Sequence, residues 1–312
     1  MSSRYNIEEQ YLATLMEIME EGERTENRTG VDTLAIDGVM LKHDMSLGFP
    51  LMTTKKMKFS NIASELEFFI KGKTSKKWLQ DRGNPIWNHW CAPYKVPYAN
   101  DEETKAKMAA EDDLGPIYGA QWRAFQDPWA TIRDIKMNSN GETVKAGGTH
   151  VGRVVDQLKN CVDRLKAHPD CRRNIVSAWN PLALDRMALV PCHVLFRVGV
   201  RNGKLNLSWY QRSCDFFLGV PYNIASYALL LHLLAKETGY KEGQLTGFFD
   251  DAHLYINHID QVGKQLDRDP RKLPSIATGG VSKPYSVFNW EYSDTSVYGY
   301  NPYPFIGAPV AV

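Results

Sequence analysis

Three segments of the chain repeat apolar residues at intervals of three and four positions, the period of a helix that is buried along one side. They are Ile7 to Glu21, Val154 to Ala167 and Tyr222 to Thr238, and the spacing predicts a helix over each of them. The last segment is apolar on nearly every side, which predicts burial against several neighbours. Gly239 follows it directly and is the residue type that most often ends a helix.

Shorter segments have the composition of β-strands. The longest are Val194 to Val200 and Leu205 to Tyr210, which flank the pair Asn202-Gly203. Asn-Gly between two apolar runs predicts a tight hairpin turn. Two shorter candidates are Ile175 to Trp179 and Thr33 to Ile36. Long helices mixed with an antiparallel hairpin predict an α+β fold rather than a doubly wound sheet.

The chain contains no internal repeat and no convincing linker. Two polar segments interrupt the pattern, Ala99 to Asp113 and Met137 to Gly152. The first is rich in Glu, Lys and Ala, a composition compatible with a surface helix, and the second contains Asn-Gly and Gly-Gly turn signals. Both are interpreted as excursions from one domain, so residues 1–312 are predicted to form a single domain.

Composition and charge exclude some classes of protein. Hydrophobic residues make up 43% and charged residues 23% of the 312 positions, as is usual for globular proteins. The 37 basic and 36 acidic side chains leave a formal net charge of +1, so no overall field favours nucleic acid or a membrane surface. The N-terminus lacks the apolar core of a signal peptide. The longest apolar stretch, Ile224 to Ala235, is too short to span a bilayer.

The cysteines indicate a reducing environment. They are Cys91, Cys161, Cys171, Cys192 and Cys214. Their odd number and the absence of Cys-x-x-Cys spacing argue against a disulfide framework and against a cysteine zinc site. A cytoplasmic location is therefore the simplest expectation, and it would be the host cytoplasm if the source is viral. Neither a dinucleotide-binding glycine motif nor a P-loop occurs.

The predicted hairpin brings one cysteine close to one arginine. Cys192 stands just before the first strand and Arg212 just after the second, so antiparallel pairing brings them together. A guanidinium beside a thiol favours the reactive thiolate, although a cysteine taken alone is more often a small buried apolar residue. His193 follows Cys192 directly. Because adjacent side chains on a strand point to opposite faces, a direct Cys–His dyad is not expected.

Several arginines are candidates for binding an anion. They are Arg28, the pair Arg172-Arg173, and Arg212. Each arginine taken alone is more often a solvated surface charge. If they converge, their planar guanidinium groups form a phosphate clamp. At this point both interpretations remain open.

The stretch from Gln211 to Tyr227, QRSCDFFLGVPYNIASY, resembles the signature of thymidylate synthases. Further matches run along nearly the whole chain. They are RTG at 28–30, FPLMTTK at 49–55, LGPIYG at 114–119, the pair at 172–173, MALVPCH at 187–193, DAHLY at 251–255 and APVAV at 308–312. So many ordered matches make a chance similarity negligible.

This resemblance implies a fold and a reaction. The fold would be that of thymidylate synthases, a mixed β-sheet flanked by helices, with two copies packed through their sheets as a homodimer. The enzyme would transfer and reduce a one-carbon unit from 5,10-methylenetetrahydrofolate, a co-substrate, to carbon 5 of deoxyuridine monophosphate (dUMP). The products would be thymidylate (dTMP) and dihydrofolate, and no metal would be needed. Arg172 and Arg173 would be donated across the dimer interface.

The resemblance also implies roles for individual residues. Cys192 would add to ring carbon 6, Glu65 would organise proton transfer through water, and Tyr118 would help the proton leave carbon 5. The implied catalytic set is Cys192, Glu65, Tyr118, Arg212, Asp215 and Asn223. The implied dUMP site is Arg28, Arg172, Arg173, Gln211, Arg212, Ser213, Asn223, His253 and Tyr255. The implied folate site is Lys55, near the glutamate tail, with Trp87, Asp215, Gly219 and Val312.

Asn223 is the position that bears on the choice of base. A carboxamide can accept a hydrogen bond from uracil N3–H and donate one to O4. An aspartate, as in the cytidylate hydroxymethylases of the family, would suit cytosine instead. Asparagine therefore indicates uracil, although on propensity alone it could simply cap the following helix.

Some positions depart from the pattern that is common in the family. Asn88-His89 stands where an acidic pair is usual, Asp250 replaces a glycine, Val190 replaces a proline or alanine, and Tyr303 replaces a histidine. A relocated polar group could admit water to the reacting carbon. The alternative product would then be 5-hydroxymethyl-dUMP, with tetrahydrofolate left unoxidised, as in the deoxyuridylate hydroxymethylases of phages that modify their DNA. The synthase is favoured, and the hydroxymethylase is the alternative.

A regulatory role in binding RNA is a hypothesis of another class, because some members of the family bind their own messenger. The near-zero net charge and the absence of a basic tract do not favour it. Loss of Cys192 would separate the two classes, since RNA binding should survive it and catalysis should not.

Overall fold

The computed structural model describes residues 6–27, 30–99, 101–127, 135–137, 143–145, 153–279 and 284–310. The helices within these ranges are α1 (Ile7–Glu21), α2 (Phe59–Ile70), α3 (Lys77–Gln80), α4 (Glu102–Ala110), α5 (Tyr118–Ala124), α6 (Gln157–Ala167), α7 (Gly219–Thr238) and α8 (Ile259–Leu266). No helix in the described ranges is both long and apolar enough to cross a membrane.

The strands of the same ranges are all short or of moderate length. They are β1 (Glu23–Thr25), β2 (Thr33–Ile36), β3 (Val39–Asp44), β4 (Phe125–Asp127), β5 (Ile135–Met137), β6 (Thr143–Lys145), β7 (Arg153–Val155), β8 (Ile175–Ser177), β9 (His193–Arg201), β10 (Lys204–Gln211), β11 (Cys214–Asp215), β12 (Lys241–Phe249), β13 (Ala252–Tyr255), β14 (Ser275–Thr278) and β15 (Thr295–Tyr298).

Two mixed sheets organise these strands. The larger has the order β3-β12-β10-β9-β8, in which only β10 and β12 run parallel. The smaller has the order β1-β2-β13-β11, in which β13 and β11 run parallel. The remaining strands form the antiparallel pairs β14–β15, β4–β7 and β5–β6. The predicted α+β class, with mixed sheet flanked by helices, is confirmed.

The predicted hairpin is the β9–β10 pair of the larger sheet. Asn202 and Gly203 form its turn with φ angles of 51° and 71°. Positive φ at both central residues is what a tight turn between twisted strands requires, and Asn and Gly adopt it most readily. The turn therefore fixes the register of the two strands, with His193 opposite Gln211 at the far end.

The two faces of the larger sheet differ in burial. On one face Trp209 is 1% exposed and its ring stacks on Tyr227 of α7, with the centroids 4.9 Å apart. Helix α7 packs along this face against β10 and β12. On the other face Tyr210 lies level with Phe248, which lies level with Met40. Phe248 is 43% exposed and Met40 is 46% exposed in a single copy of the chain, so this face carries uncovered apolar side chains.

Helix predictions were confirmed over α1 and corrected at two boundaries. The α6 helix begins three residues later than predicted, because Val154 pairs with Gln126 in a strand and Asp156 then caps the helix, accepting the Lys159 N–H at 2.9 Å. The α7 helix begins three residues earlier, at Gly219. It ends as expected at Gly239, whose φ is +76°.

Both polar segments can be located in part. The first contains the predicted surface helix, α4, which starts where Asp101 accepts the Thr104 N–H at 2.8 Å. Within the second, β5 and β6 pair with each other. The expected Asn-Gly and Gly-Gly turns of that segment fall in 138–142 and 146–152, which lie outside the described residues.

Candidate active site

The end of the β9–β10 hairpin brings Cys192 and Arg212 together, as the sequence predicts. The backbone N–H of Arg212 donates to the carbonyl of Cys192 at 2.9 Å. The guanidinium group then turns back along the preceding segment and donates to the carbonyls of Pro191 at 3.0 Å and Val190 at 3.1 Å. Arg212 therefore fixes the backbone that carries the partly exposed thiol, and its positive charge lies beside that segment.

Tyr118, the first residue of α5, contacts the cysteine from the other side. Its hydroxyl oxygen accepts the N–H of Cys192 at 2.9 Å, which leaves its own O–H able to donate elsewhere. Burial, and next the charge of Cys192, hold the pKa of Tyr118 well above its usual value. The phenol is therefore protonated at neutral pH.

His193 is a buried neutral residue behind this pair, and sequence reasoning assigned it no role. Its ring stacks on Tyr118 with the centroids 4.2 Å apart, and its Nδ1 lies 2.8 Å from the hydroxyl of Tyr227. Burial lowers the pKa of His193 to about 3. A histidine within an aromatic cluster cannot be recognised from one sequence, because the signal lies in rings contributed by α5 and α7.

Glu65, on α2, lies beside the aromatic pair of Trp87 and Tyr118, next to Cys192. The indole N–H of Trp87 donates to its carboxylate at 2.8 Å, and the Trp87 ring makes an edge contact with Tyr118 at 6.2 Å. Burial raises the pKa of Glu65 to about 7. A carboxyl group with that pKa can both hold and release a proton near neutral pH.

Asn223 lies near the start of α7 and has its amide oriented by a neighbour. Gln211, at the end of β10, donates from Nε2 to the Asn223 Oδ1 at 3.1 Å, and also to the carbonyl of Ser213 at 3.3 Å. The Gln211 Oε1 accepts the indole N–H of Trp209 at 3.4 Å. This chain of donors makes Oδ1 the acceptor end and Nδ2 the donor end of Asn223.

Asp215 and Gly219 lie next to this amide. Asp215 accepts the Leu218 N–H at 2.8 Å, which closes the turn that leads into α7. A Cβ added at Gly219 would lie 3.7 Å from the Asp215 Cβ and 3.8 Å from the Asn223 Oδ1. An added side chain would therefore contact both residues, so Gly219 marks a position beside them that carries no side chain.

His253 lies level with Asp215 across the β11–β13 pair. Its Nδ1 lies 2.9 Å from the carbonyl of Asp251 and 3.3 Å from the carboxylate of the same residue. Burial alone would lower the pKa of His253, but the Asp251 contacts outweigh it and the pKa is raised. The ring of Tyr255 makes an edge contact with His253 at 5.4 Å, so these two residues of the predicted dUMP site are neighbours.

Lys55 is buried, with 3% of the residue exposed. Its ammonium group donates to the carbonyl of Phe217 and lies 3.7 Å above the ring of the same residue. Burial lowers the pKa of Lys55 to about 7, against the opposing charge of Asp215. Its predicted contact with the glutamate tail stays a prediction, and in this structure the ammonium faces the turn that carries Asp215.

Arg172 and Arg173 are exposed and lie far from the cysteine of their own chain. The carbonyl of the next residue, Asn174, accepts the N–H of Val198 at 3.0 Å. The arginine pair is thus level with Val198, which is six residues from Cys192 along β9, or about 20 Å at the rise of a strand. Two further predicted site residues, Arg28 and Val312, lie outside the described residues.

Three of the unusual residues have partners within the protein. The Asn88 Oδ1 accepts a hydrogen bond from Gln80 at 3.1 Å. The Asp250 carboxylate accepts one from the hydroxyl of Tyr210 at 2.6 Å. The ring of Tyr303 lies 3.7 Å from an arginine guanidinium. Each of the three therefore has a partner inside the protein.

The other two, His89 and Val190, line a cavity of about 1030 Å³ that also contacts Arg212. His89 is exposed there and its ring makes an edge contact with Trp90 at 6.1 Å. Cys192 is not among the wall residues, so the cavity adjoins the nucleophile at Arg212 rather than enclosing it. Typical pockets for one small ligand measure about 300–1,000 Å³.

The hairpin end therefore gathers a thiol and a guanidinium, with a phenol, a carboxyl group of raised pKa and an oriented carboxamide around them. These are groups that covalent catalysis by a cysteine can use. No group of His, Cys, Asp or Glu in the described ranges is arranged to hold a metal ion. Residues 9–312 match the family model described as thymidylate synthase, and the chain belongs to that family. The resemblance inferred from the motifs is confirmed. The family is a group of one-carbon transferases that use dUMP and methylenetetrahydrofolate.

Proposed function

We propose that the protein is a thymidylate synthase that converts dUMP to dTMP through a covalent bond between Cys192 and the pyrimidine ring. The observation that carries the proposal is the hairpin end, where Arg212 braces the cysteine backbone and Tyr118 accepts the Cys192 N–H at 2.9 Å. Groups fixed on strands and helices hold a nucleophile more accurately than groups on mobile loops.

The first step is attack of the Cys192 sulfur on ring carbon 6. The new S–C bond displaces the π electrons of the C5–C6 double bond towards carbon 5 and O4, so that carbon 5 becomes nucleophilic. The Nδ2 of Asn223 donates to O4 as negative charge develops there, which is electrostatic stabilisation of the transition state. The Oδ1 end, which Gln211 orients at 3.1 Å, accepts from N3–H and so selects uracil.

Proton transfers fall to Glu65 and Tyr118. The carboxyl group, with its pKa raised to about 7, is suited to exchange a proton with ordered water near O4. The phenol, which stays protonated, orders the water that accepts the proton leaving carbon 5. Carbon 5 attacks the methylene carbon of the folate, which forms the C5–CH2 bond as the folate ring opens. Loss of the carbon 5 proton to that water then expels the folate amine, which breaks the CH2–N bond and leaves an exocyclic methylene group on the pyrimidine.

The folate supplies the methylene carbon and, in a synthase, the hydride that reduces it. Hydride addition forms the methyl group, restores the C5–C6 double bond and expels the Cys192 thiolate, while the tetrahydrofolate becomes dihydrofolate. The absence of a side chain at Gly219, beside Asp215 and Asn223, suits a flat pteridine ring whose N–H groups would donate to the Asp215 carboxylate. Trp87, with 5% of the residue exposed, would form the apolar wall against that ring. Trp87 and a bound pteridine ring would together cover the reacting carbon, which would favour hydride transfer over hydration.

The hydroxymethylase remains the second candidate because of a single observation. Of the residues that depart from the family pattern, His89 is the polar one that lies exposed on a cavity wall. An imidazole that orders water close to the methylene group would favour attack by water. The internal partners of Asn88 and Asp250 weigh against a general opening of the site to solvent.

Product analysis tests the choice. The enzyme is incubated with dUMP and methylenetetrahydrofolate, the nucleotide is identified by mass, and dihydrofolate is followed by absorbance. A synthase yields dTMP and one dihydrofolate per turnover. Hydroxymethylated nucleotide without dihydrofolate would replace the proposal with its alternative, and preferred use of deoxycytidylate would contradict the role of Asn223.

The proposal includes a homodimer packed through the larger sheet. The face with Phe248 and Met40 would be covered by the second copy, which removes apolar surface from water. The separation of about 20 Å between Arg173 and Cys192 along β9 supports a phosphate site completed by the partner's arginines. A symmetric dimer would then carry two composite sites.

Mixing two inactive variants tests the composite site. Cys192→Ser retains the arginines and the double variant Arg172→Ala/Arg173→Ala retains the cysteine, so a hybrid dimer has one complete site. Refolding them together at equal amounts should restore about a quarter of the wild-type sites, as random pairing predicts. Mixing Cys192→Ser with Glu65→Gln is the negative control. In that hybrid one site lacks the cysteine and the other lacks the carboxylate, so no complete site forms and activity should not recover. Absence of any recovery, with hybrid dimers detected by mass, would contradict the composite site.

A further inference from the structure

The cavity beside Arg212 is lined by basic groups without an acidic one. Among the described residues that form its wall, the ionisable side chains besides the phenol of Tyr98 are His89, Lys105 and Arg212. The rest of the wall is largely apolar and includes Trp90 and Trp179. Low-dielectric walls strengthen the field of the charges that they carry. An anion is therefore the class of ligand that the cavity would hold.

The polar segment after residue 98 contributes one wall, and a buried lysine fixes that wall in place. Lys76 is fully buried, and its ammonium donates to the carbonyls of Met108 at 2.7 Å, Trp90 at 3.0 Å and Asn88 at 3.1 Å. One ammonium thus joins the α4 helix, which carries Lys105, to the loop that carries His89. Two of the basic groups are therefore held relative to each other by a built connection.

Lys105 and Arg212 both retain capacity for a ligand. Lys105 pairs with Glu102 at 2.9 Å on the surface of α4, where the two side chains are 53% and 90% exposed. Exposed pairs of this kind are weak and exchange readily. Arg212 has five N–H donors, of which the described contacts to Pro191 and Val190 use two. Planar guanidinium groups bind phosphate and carboxylate oxygens well.

We infer that this cavity is an oxyanion-binding subsite adjoining the nucleophile, in which Lys105 and His89 act with Arg212 on a phosphate or carboxylate group of a bound substrate. The inference rests on the proposed function only for the identity of that substrate. The phosphate would belong to dUMP, and the carboxylate to the glutamate of the folate. The subsite is built from α4, so a segment that interrupts the core pattern acquires a role in binding.

The experiment uses two lysines on the same helix. Lys105→Ala removes the wall residue. Lys107→Ala is the matched control, because Lys107 is also exposed, also pairs with a glutamate (Glu103, at 2.7 Å), and is not a wall residue. In Lys105→Ala the KM for one substrate should rise about three- to tenfold with kcat unchanged, the size expected for a partly solvated charge contact. A rise for dUMP identifies the phosphate, and a rise for the folate identifies the carboxylate.

Calorimetric titration with inorganic phosphate or with glutarate, a dicarboxylate probe, measures the anion affinity of the subsite without turnover. Binding of at least one of these anions should weaken in Lys105→Ala and in His89→Asn but not in Lys107→Ala. Equal KM values and equal anion affinities in Lys105→Ala and Lys107→Ala would overturn the inference while leaving the proposed function intact. A wild-type protein that binds the anions but makes no pyrimidine product would instead reject the proposed function.

Discussion

Two carboxyl groups of this molecule with raised pKa values, Glu8 and Glu65, lie in different surroundings. Glu8, in the first turn of α1, is fully buried and accepts four hydrogen bonds, from the backbone N–H and the hydroxyl of both Thr53 and Thr54, at 2.6–2.8 Å. Glu65 accepts one described hydrogen bond from a side chain, that of Trp87. Burial raises the pKa of both groups, and the threonine contacts oppose this only at Glu8.

This difference in hydrogen bonding distinguishes a carboxylate that stabilises the fold from one that can take part in catalysis. Glu8 has donors on both oxygens, so it braces α1 against the 53–55 segment and has little capacity for another partner. Glu65 keeps acceptor positions for water or substrate and titrates near neutral pH. A raised pKa alone therefore does not mark a catalytic carboxyl group, and the number of unfilled hydrogen-bond positions is the better guide.

The largest expected effect is at Glu65. Glu65→Gln should lower kcat by about 10²- to 10⁴-fold, as loss of a positioned proton-transfer group does. The free energy of unfolding should change little, because a carboxamide can still accept the indole N–H of Trp87. Steady-state kinetics and urea unfolding measure the two effects. If Glu65→Gln lost stability in proportion to activity, Glu65 would have a structural role like that of Glu8.

The pH dependence sharpens the same contrast. The folded protein raises the pKa of Glu65 from 4.5 to about 7, so between these values the folded state binds the proton more tightly than the unfolded chain. Its contribution to stability is therefore present at low pH and is lost as pH rises through about 7. Comparison with Glu65→Gln at each pH isolates this contribution, which should be absent from the variant. The wild-type activity profile should also contain a limb near pH 7 that the variant lacks.

The next effect is on stability, at Glu8. Glu8→Ala leaves two buried backbone N–H groups without their acceptor and should lower the free energy of unfolding by about 2–4 kcal/mol. The kcat of the protein that remains folded should stay within about threefold of the wild type, since the change removes no cleft group. Urea denaturation followed by fluorescence provides the first value. A fully folded Glu8→Ala protein with a much lower kcat would contradict the assignment of a purely structural role to Glu8.

The sequence predicted those elements of the fold whose signal lies within one short segment of the chain. Periodicity predicted α1 to the residue, and the Asn202-Gly203 turn predicted the strand ends that bring Cys192 to Arg212. The start of α6 was wrong because Val154 matches a helical spacing, while its actual partner is a strand residue far earlier in the chain. Pairing across such a distance leaves no local signature.

The site shows the same limit. The motifs identified Cys192 and Asn223, but the donor that orients the Asn223 amide, Gln211, follows only from strand register. Likewise the burial of Lys55 against Phe217 depends on packing between distant segments. Residue identity could be predicted, and side-chain surroundings could not.

The smallest of the expected effects concerns the choice of base. In Asn223→Asp the carboxylate can still accept from Gln211, but it has no N–H for uracil O4 and would favour the amino group of cytosine. The ratio of kcat/KM for dUMP to that for deoxycytidylate should fall by about 10- to 100-fold, the value of one exchanged hydrogen bond. Asn223→Ala should lower both rates without reversing the preference. An unchanged ratio in Asn223→Asp would assign base selection to other groups.

The central claim is that the Cys192 sulfur bonds to carbon 6 of the pyrimidine, and mass spectrometry can detect this adduct directly. A dUMP analogue with fluorine at carbon 5 cannot lose a proton there, so the adduct should persist when it is mixed with methylenetetrahydrofolate. Intact mass and peptide mapping should then show nucleotide plus folate on the peptide that contains Cys192, and no addition in Cys192→Ser. A wild-type enzyme that forms pyrimidine product while the adduct is absent, or that carries it on another cysteine, would contradict the account.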